Sequence, residues 1–267
     1  MKPGMTKLGF VRSGALIAVL CTMMMHSTFA EIPLAERRSG YDLLSRETRA
    51  MQDDDTANPG MLWVLDGEAL WRAKAGTAEK ACTDCHGDAR ETMKGIAARY
   101  PAFDPARGQP VDLEQRINIC RSEQQKAPPF AYESKELLAL TAYVARQSRG
   151  MPIEGAADER LKSFVDTGRA LFTRRQGQLN LTCAQCHDDN WGQKLAGNPL
   201  PQAHPTGYPL YRLEWQTVGS LQRRLRNCLI GMRVEPYAYG SPEYVALETF
   251  LMWRARGLPV ETPAVRP

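Results

Sequence analysis

Two cysteines separated by two residues, with a histidine directly after the second, occur twice in this 267-residue chain. The copies are Cys82-Thr-Asp-Cys85-His86 and Cys183-Ala-Gln-Cys186-His187, and their surroundings recur with them. Asp66-Gly67-Glu68-Ala69-Leu70-Trp71 precedes the first copy. Asp166-Thr167-Gly168-Arg169-Ala170-Leu171-Phe172 precedes the second, and Leu70 and Leu171 each lie 12 residues before a motif's first cysteine. Downstream, the stretch from Leu113 to Cys120 with Arg116 inside it matches the stretch from Leu221 to Cys228 with Arg224 inside it. Leu140 to Tyr143 then matches Leu247 to Phe250, and each copy closes on Arg-Gly-x-Pro, at Arg149–Pro152 and Arg256–Pro259. Landmarks that recur in one order mark a duplicated domain.

Each half opens with an amphipathic helix. In the second, Leu161, Phe164, Val165, Gly168 and Leu171 share one face at helical spacing. Gly67 and Gly168 fall inside these helices, where glycine costs roughly 1 kcal/mol relative to alanine. A close helix crossing would offset that cost, and the expected partner is each half's last helix, near Tyr143 and Phe250. Those helices are expected to stop at Gly150 and Gly257, each followed by a proline. The Pro/Gly-rich stretches 104–110 and 197–209 read as loops, and no long alternating strand pattern occurs. The expected fold is mainly α, two tandem helical domains with long irregular loops. The divisions are 1–30 signal peptide, 31–60 N-terminal extension wrapping the first domain, 61–152 first domain and 153–267 second domain.

The signal peptide rests on Lys2, Lys7 and Arg12 ahead of an apolar run from Ala15 to Met25 and the small-residue site at Ala30. The run is shorter than the about 20 residues a membrane span needs, so no anchor is expected in the mature form. The chain's net charge is +4, of which the leader carries three positive charges, and no basic block remains. That gives nucleic-acid binding no support.

Of seven cysteines, Cys21 is expected to leave with the leader, and an exported chain with the remaining six would ordinarily be read as disulfide-stapled. Here four of the six belong to C-x-x-C-H, the attachment motif for c-type haem: two thioether bonds hold the porphyrin and the adjacent histidine ligates iron. A redox dithiol or half a zinc site is the alternative that a single copy would leave open, and two matched copies in an exported chain favour haem over both. Two covalent haems are expected, with Cys82, Cys85 and His86 holding one and Cys183, Cys186 and His187 the other.

The second face of each iron has several candidates. His204 has no counterpart in the first half, and Met232 is matched there by Gln124. Cys120 and Cys228 occupy equivalent places, 34 and 41 residues after the motif histidines. As thiolates they are strong donors to iron, and the alternative is a Cys120–Cys228 disulfide. Arg116 and Arg224 each sit four residues before that cysteine, on the same helical face. A guanidinium there can hold an oxyanion or pair with a haem propionate. Arg223, Arg226 and Arg233 read as a solvated face.

Two C-x-x-C-H repeats, each followed by a lone cysteine in Arg-x-x-x-Cys, resemble the SoxA family, the dihaem subunit of the SoxAX complex of thiosulfate oxidation. The likeness runs from about Pro59 to Pro259. It implies an L-cysteine S-thiosulfotransferase that joins thiosulfate to a cysteine of the carrier SoxYZ, in the periplasm, and passes two electrons towards the monohaem partner SoxX. It implies His/Cys ligation of both irons, by His86 with Cys120 and His187 with Cys228. It also implies Cys228 as catalytic sulfur, which family members can carry as a persulfide, and Arg224 as substrate-binding residue. A plain dihaem electron carrier would need only the two motifs. A dihaem peroxidase would need an open iron site, against which the paired cysteines argue.

Overall fold

A computed structural model of the chain describes Met1 and residues 32–267. The leader reading therefore lies outside the described residues, apart from Met1. The ten helices described are α1 (Arg46–Asp53), α2 (Met61–Arg72), α3 (Thr83–His86), α4 (Ala89–Thr92), α5 (Leu113–Cys120), α6 (Lys135–Arg146), α7 (Lys162–Thr173), α8 (Cys183–His187), α9 (Leu221–Gly231) and α10 (Pro242–Arg254). Among the described residues, no helix is long and apolar enough to cross a membrane.

The repeat is plain in the packing. α2 crosses α6 in the first half and α7 crosses α10 in the second. Both crossings are made at glycine. A methyl group on Gly67 would land on the Ala139 carbonyl and 2.7 Å from Tyr143 Cβ; one on Gly168 would land on the Ala246 carbonyl and 2.6 Å from Phe250 Cβ. The contact lets the aromatic residue near the end of the first helix reach the last helix: Trp71 lies 5.9 Å from Tyr143, and Phe172 lies 5.3 Å from Phe250, centroid to centroid. Each of these cores is apolar, Val64, Trp71, Leu140, Tyr143 and Val144 in one, Val165, Leu171, Phe172, Leu247 and Phe250 in the other. Ser134 and Ser241 cap the last helices at their N-termini. These helices end at Arg146 and Arg254, one turn earlier than expected, and Gly150 and Gly257 follow at φ of 81° and 88°.

Short strands occur where loops were expected. β1 (Ala102–Asp104) pairs with β2 (Gln109–Val111), and β3 (Lys194–Leu195) with β4 (Asn198–Pro199). β5 (Leu210–Arg212) pairs antiparallel with β6 (Thr217–Gly219) and parallel with β7 (Val265–Arg266). The β1–β2 and β5–β6 hairpins are counterparts, each leading directly into the helix that ends near the lone cysteine.

Equivalent residues meet where the halves join. Tyr132 stacks on Tyr239 at 5.7 Å and 11°. Pro152 bridges to Pro259, and Gly150, Ile153, Gly257 and Val260 exchange backbone hydrogen bonds across the same seam. Gln222 donates to the buried carboxylate of Asp112 at 2.9 Å. Arg223 and Arg226 belong to this region and are not a solvated face. Arg223 stacks on Trp215 and approaches Glu133, while Arg226 donates to the Tyr237 carbonyl and stacks on Tyr239.

The N-terminal segment departs from expectation too. Asp55 pairs with Arg146 and Arg149 of the first half, but most contacts go to the second. Arg38 binds Gln202 and His204 through its backbone; Ser39 donates to Glu261; Gln52 accepts from the Val265 amide; Asn58 donates to the Pro263 carbonyl. Backbone hydrogen-bonding needs of the C-terminal tail, invisible to composition, draw the segment across.

Two stability predictions follow from this packing. Gly168→Ala should destabilise by about 1–3 kcal/mol, because the added methyl must displace backbone, and a thermal melt measures it. Asp112, Glu114 and Glu248 line a small cavity between the halves. Burial pushes Asp112 up to about 6, and Glu114 and Glu248 well above the usual carboxylate range. These groups hold protons more tightly folded than unfolded, so the stability they add at low pH is lost as pH rises through about 6. The melting temperature should fall between about pH 5 and 8, and Glu248→Gln should fall less over the same range.

Candidate haem sites and their asymmetry

Each motif lies on a short helix under the aromatic residue of its own half. His86 packs 5.6 Å from Trp71, and His187 packs 6.3 Å from Phe172. Thr182 opens α8 with a capping box completed by Gln185, which holds the second motif in helical form.

The first motif faces a cavity of about 220 Å³, lined by Cys82, Cys85, His86 and Cys120 with Trp71, Leu140 and Val144 among its apolar walls. A second cavity, about 150 Å³, is lined by His187, Cys228, Arg224, Arg212, Tyr208 and His204. Cys120 and Cys228 therefore belong to different cavities, and all six described cysteines are free. Met232 is buried in the second core and does not line the cavity, whereas Gln124 lines the first. Leu43 and Leu44 of the N-terminal segment form part of the second wall.

His187 Nδ1 lies 2.6 Å from the Pro201 carbonyl oxygen, which makes it the protonated nitrogen and leaves Nε2 for a metal. His187 and Cys228 line the same cavity. Burial alone would raise the Cys228 thiol, but the neighbouring His187 ring and the charges of Arg224 and Arg212 bring it down to about 7. In the first half, burial wins and Cys120 is raised despite Arg116. Two thiols and a histidine on one turn, with a further thiol facing that histidine, form the donor set that a thioether-bound porphyrin and its iron need. The apolar walls of the first cavity suit the ring.

The two arginines share a helical position but not their surroundings. Arg116 donates to Asp104 at 2.9 Å and hydrogen-bonds to Tyr100, and Asp104 is only 4% exposed at its side chain. Arg224 makes no ion pair among the described residues; it lies under the electrostatic influence of Cys228 and Tyr208. Carboxylate pairing thus describes Arg116, while Arg224 keeps its donors for another anion.

Comparison with known proteins agrees with this architecture. The family model for the SoxA/TsdA cytochrome c domain matches twice, at residues 66–153 and 167–260.

The chain belongs to the SoxA family.

It is 39% identical to the L-cysteine S-thiosulfotransferase subunit SoxA of Pseudaminobacter salicylatoxidans, over 88% of this chain and 82% of that protein. It is 38% identical to the SoxA subunit of Rhodovulum sulfidophilum, over 86% and 80%. Among solved structures it superposes on a chain of SoxXA from P. pantotrophus with a TM-score of 0.83, at 30% identity, over 86% of this chain and 87% of that one. A SoxA-family cytochrome c domain carries covalent haem, and the residues above are fitted to it.

Residues that sequence reasoning missed are Arg212 and Tyr208. The recurring Tyr-Pro pair at 100–101 and 208–209, each 12 residues before its helix cap, would have found them by aligning the halves. His204, weighed as an iron ligand, is 7% exposed and bound through Nδ1 to the Arg38 carbonyl oxygen at 2.8 Å. Burial lowers it to about 4, so it is neutral at pH 7.

Asp104→Asn should lower the melting temperature of the first half, because Arg107 and Arg116 both lose a carboxylate partner. Asp104 is held below the usual carboxylate range: burial would raise it, but hydrogen bonds from Ala106 and Arg107 and the Arg116 charge prevail. Its contribution is present above its unfolded pKa and lost as pH falls through the folded value. The gap between wild type and variant, followed by melting at several pH values, should therefore narrow in acid.

Proposed function

We propose that the chain is the SoxA subunit of an L-cysteine S-thiosulfotransferase, a periplasmic dihaem cytochrome with its reaction site at the second motif. The proposed divisions are a leader over 1–30, an extension over 31–60, a first haem domain over 61–152 and a second over 153–267. Cys82, Cys85 and His86 hold the first haem with Cys120 as second ligand. Cys183, Cys186 and His187 hold the other with Cys228. The partner is a monohaem cytochrome of the SoxX kind, and the carrier substrate is SoxYZ.

The observation that carries the reading is Arg224, which makes no ion pair among the described residues and acts electrostatically on Cys228. Arg224 holds the sulfonate oxygens of thiosulfate through its guanidinium fork and aims the terminal sulfur at Cys228. Cys228 is half-buried, and the Arg224 and Arg212 charges favour its thiolate, the form that exchanges sulfur–sulfur bonds. The net change is a carrier thiol and thiosulfate joined by a new S–S bond, with one proton and two electrons released. Haem bound at this site supplies the outlet for those electrons. The ion pair with Asp104 occupies Arg116, the first half's counterpart of Arg224. An electron-carrying role suits that half, which the plain dihaem-carrier alternative would extend to both.

Cys228→Ala should abolish thiosulfate-dependent turnover while intact mass still counts two haems per chain. Retained turnover would overturn the reaction site, and a count of one would overturn the dihaem reading.

A further inference from the structure

The duplication places opposite charges at one position of its two hairpins. β1 and β5 are counterparts: Tyr100-Pro101-Ala102-Phe103-Asp104 aligns with Tyr208-Pro209-Leu210-Tyr211-Arg212. The register agrees, since Phe103 pairs with Pro110 as Tyr211 pairs with Val218. Asp104, at the end of β1, neutralises Arg116. Arg212, at the end of β5, holds the same place relative to Arg224 and brings a second positive charge.

Arg212 is 8% exposed and lines the same cavity as Arg224 and Cys228. It is held in place by donating Nε to the Pro267 carbonyl oxygen at 2.8 Å and by pairing through Nη2 with Glu214 at 2.8 Å. Glu214 is 63% exposed, so this pairing is solvent-screened. Among the described residues no hydrogen bond or ion pair engages Nη1. Burial and the nearby Arg224 charge both weigh against the Arg212 proton. Two guanidinium groups thus line one cavity, Arg212 buried and Arg224 half-buried, and both feel the charge of the exposed Glu214 carboxylate. Such an arrangement is stabilised by a divalent anion.

Resting on the reading of Cys228 and Arg224 as the reaction site, we infer that Arg212 is a second anion-binding residue of that site and sets its preference for a doubly charged sulfur oxyanion. Arg224 alone matches one face of such an anion; Arg212 supplies the second charge. The exchange of Asp104 for Arg212 is then the step that made one copy of the repeat reactive.

The test uses the haem-loaded protein with its partner subunit and varies thiosulfate at fixed carrier concentration. Arg212→Gln should raise KM for thiosulfate about tenfold or more with kcat within about threefold, the signature of lost anion binding. Arg212→Lys should retain most of the affinity, and Glu214→Gln should lower KM, because the competing carboxylate is gone. An unchanged KM in Arg212→Gln with both haems attached would overturn the inference. So would Arg212→Lys as impaired as Arg212→Gln, which would assign the side chain to holding Pro267. If Arg212→Gln does not fold, Glu214→Gln on the exposed residue decides, and an unchanged or raised KM overturns the inference. Turnover surviving in Cys228→Ala would instead overturn the underlying reading, so the two failures remain distinct.

Discussion

A helix crossing at glycine underlies everything else in each half. With Gly67 against the Ala139 carbonyl and Gly168 against the Ala246 carbonyl, the first and last helices approach to backbone distance. Only that approach lets Trp71 and Phe172 touch both the last helix and the motif histidine. The histidine is therefore oriented by an aromatic core, with the Pro201 carbonyl fixing the His187 ring as well, and the motif's two thiols follow from the short helical turn that carries all three. Bulk at either glycine would push the last helix away and loosen the wall against which a porphyrin must lie.

The same frame, used twice, carries different chemistry because hairpins and helices are separate carriers of charge. α5 and α9 each supply an arginine one turn before a cysteine. The hairpin leading in decides what that arginine can do. Asp104 satisfies Arg116 at the wall of the first cavity. Arg212 leaves Arg224 available and adds charge, which favours thiolate at Cys228 against the opposing effect of burial. Cys120, lacking that excess of positive charge, stays raised. A duplicated domain can thus hold different charge at equivalent positions of its two sites without altering the core of either.

The join between the halves uses the repeat against itself. Tyr132 on Tyr239 and Pro152 opposite Pro259 are equivalent residues in contact, as a two-fold relation between copies requires. The N-terminal segment does not obey that relation. It crosses to the C-terminal tail and contributes Leu43 and Leu44 to the wall of the second cavity, so the second site is more enclosed by chain from elsewhere than its counterpart.

From the sequence alone came the duplication, the mainly helical class, the covalent haem motifs and the matched cysteines. These are patterns of local spacing, and a helix turns such spacing directly into a shared face. The glycines also betrayed the helix crossing, since their cost within a helix asks for a close neighbour. Tertiary structure alone decided which arginine is neutralised, because Asp104 meets Arg116 across a hairpin and not along a helix. It likewise decided the path of residues 32–60, the role of Arg223 and Arg226 near the join, and the presence of Arg212 beside Cys228. Each depends on which side chains long-range packing brings within a few ångströms, where Coulomb energy and desolvation act, and no local spacing encodes that distance.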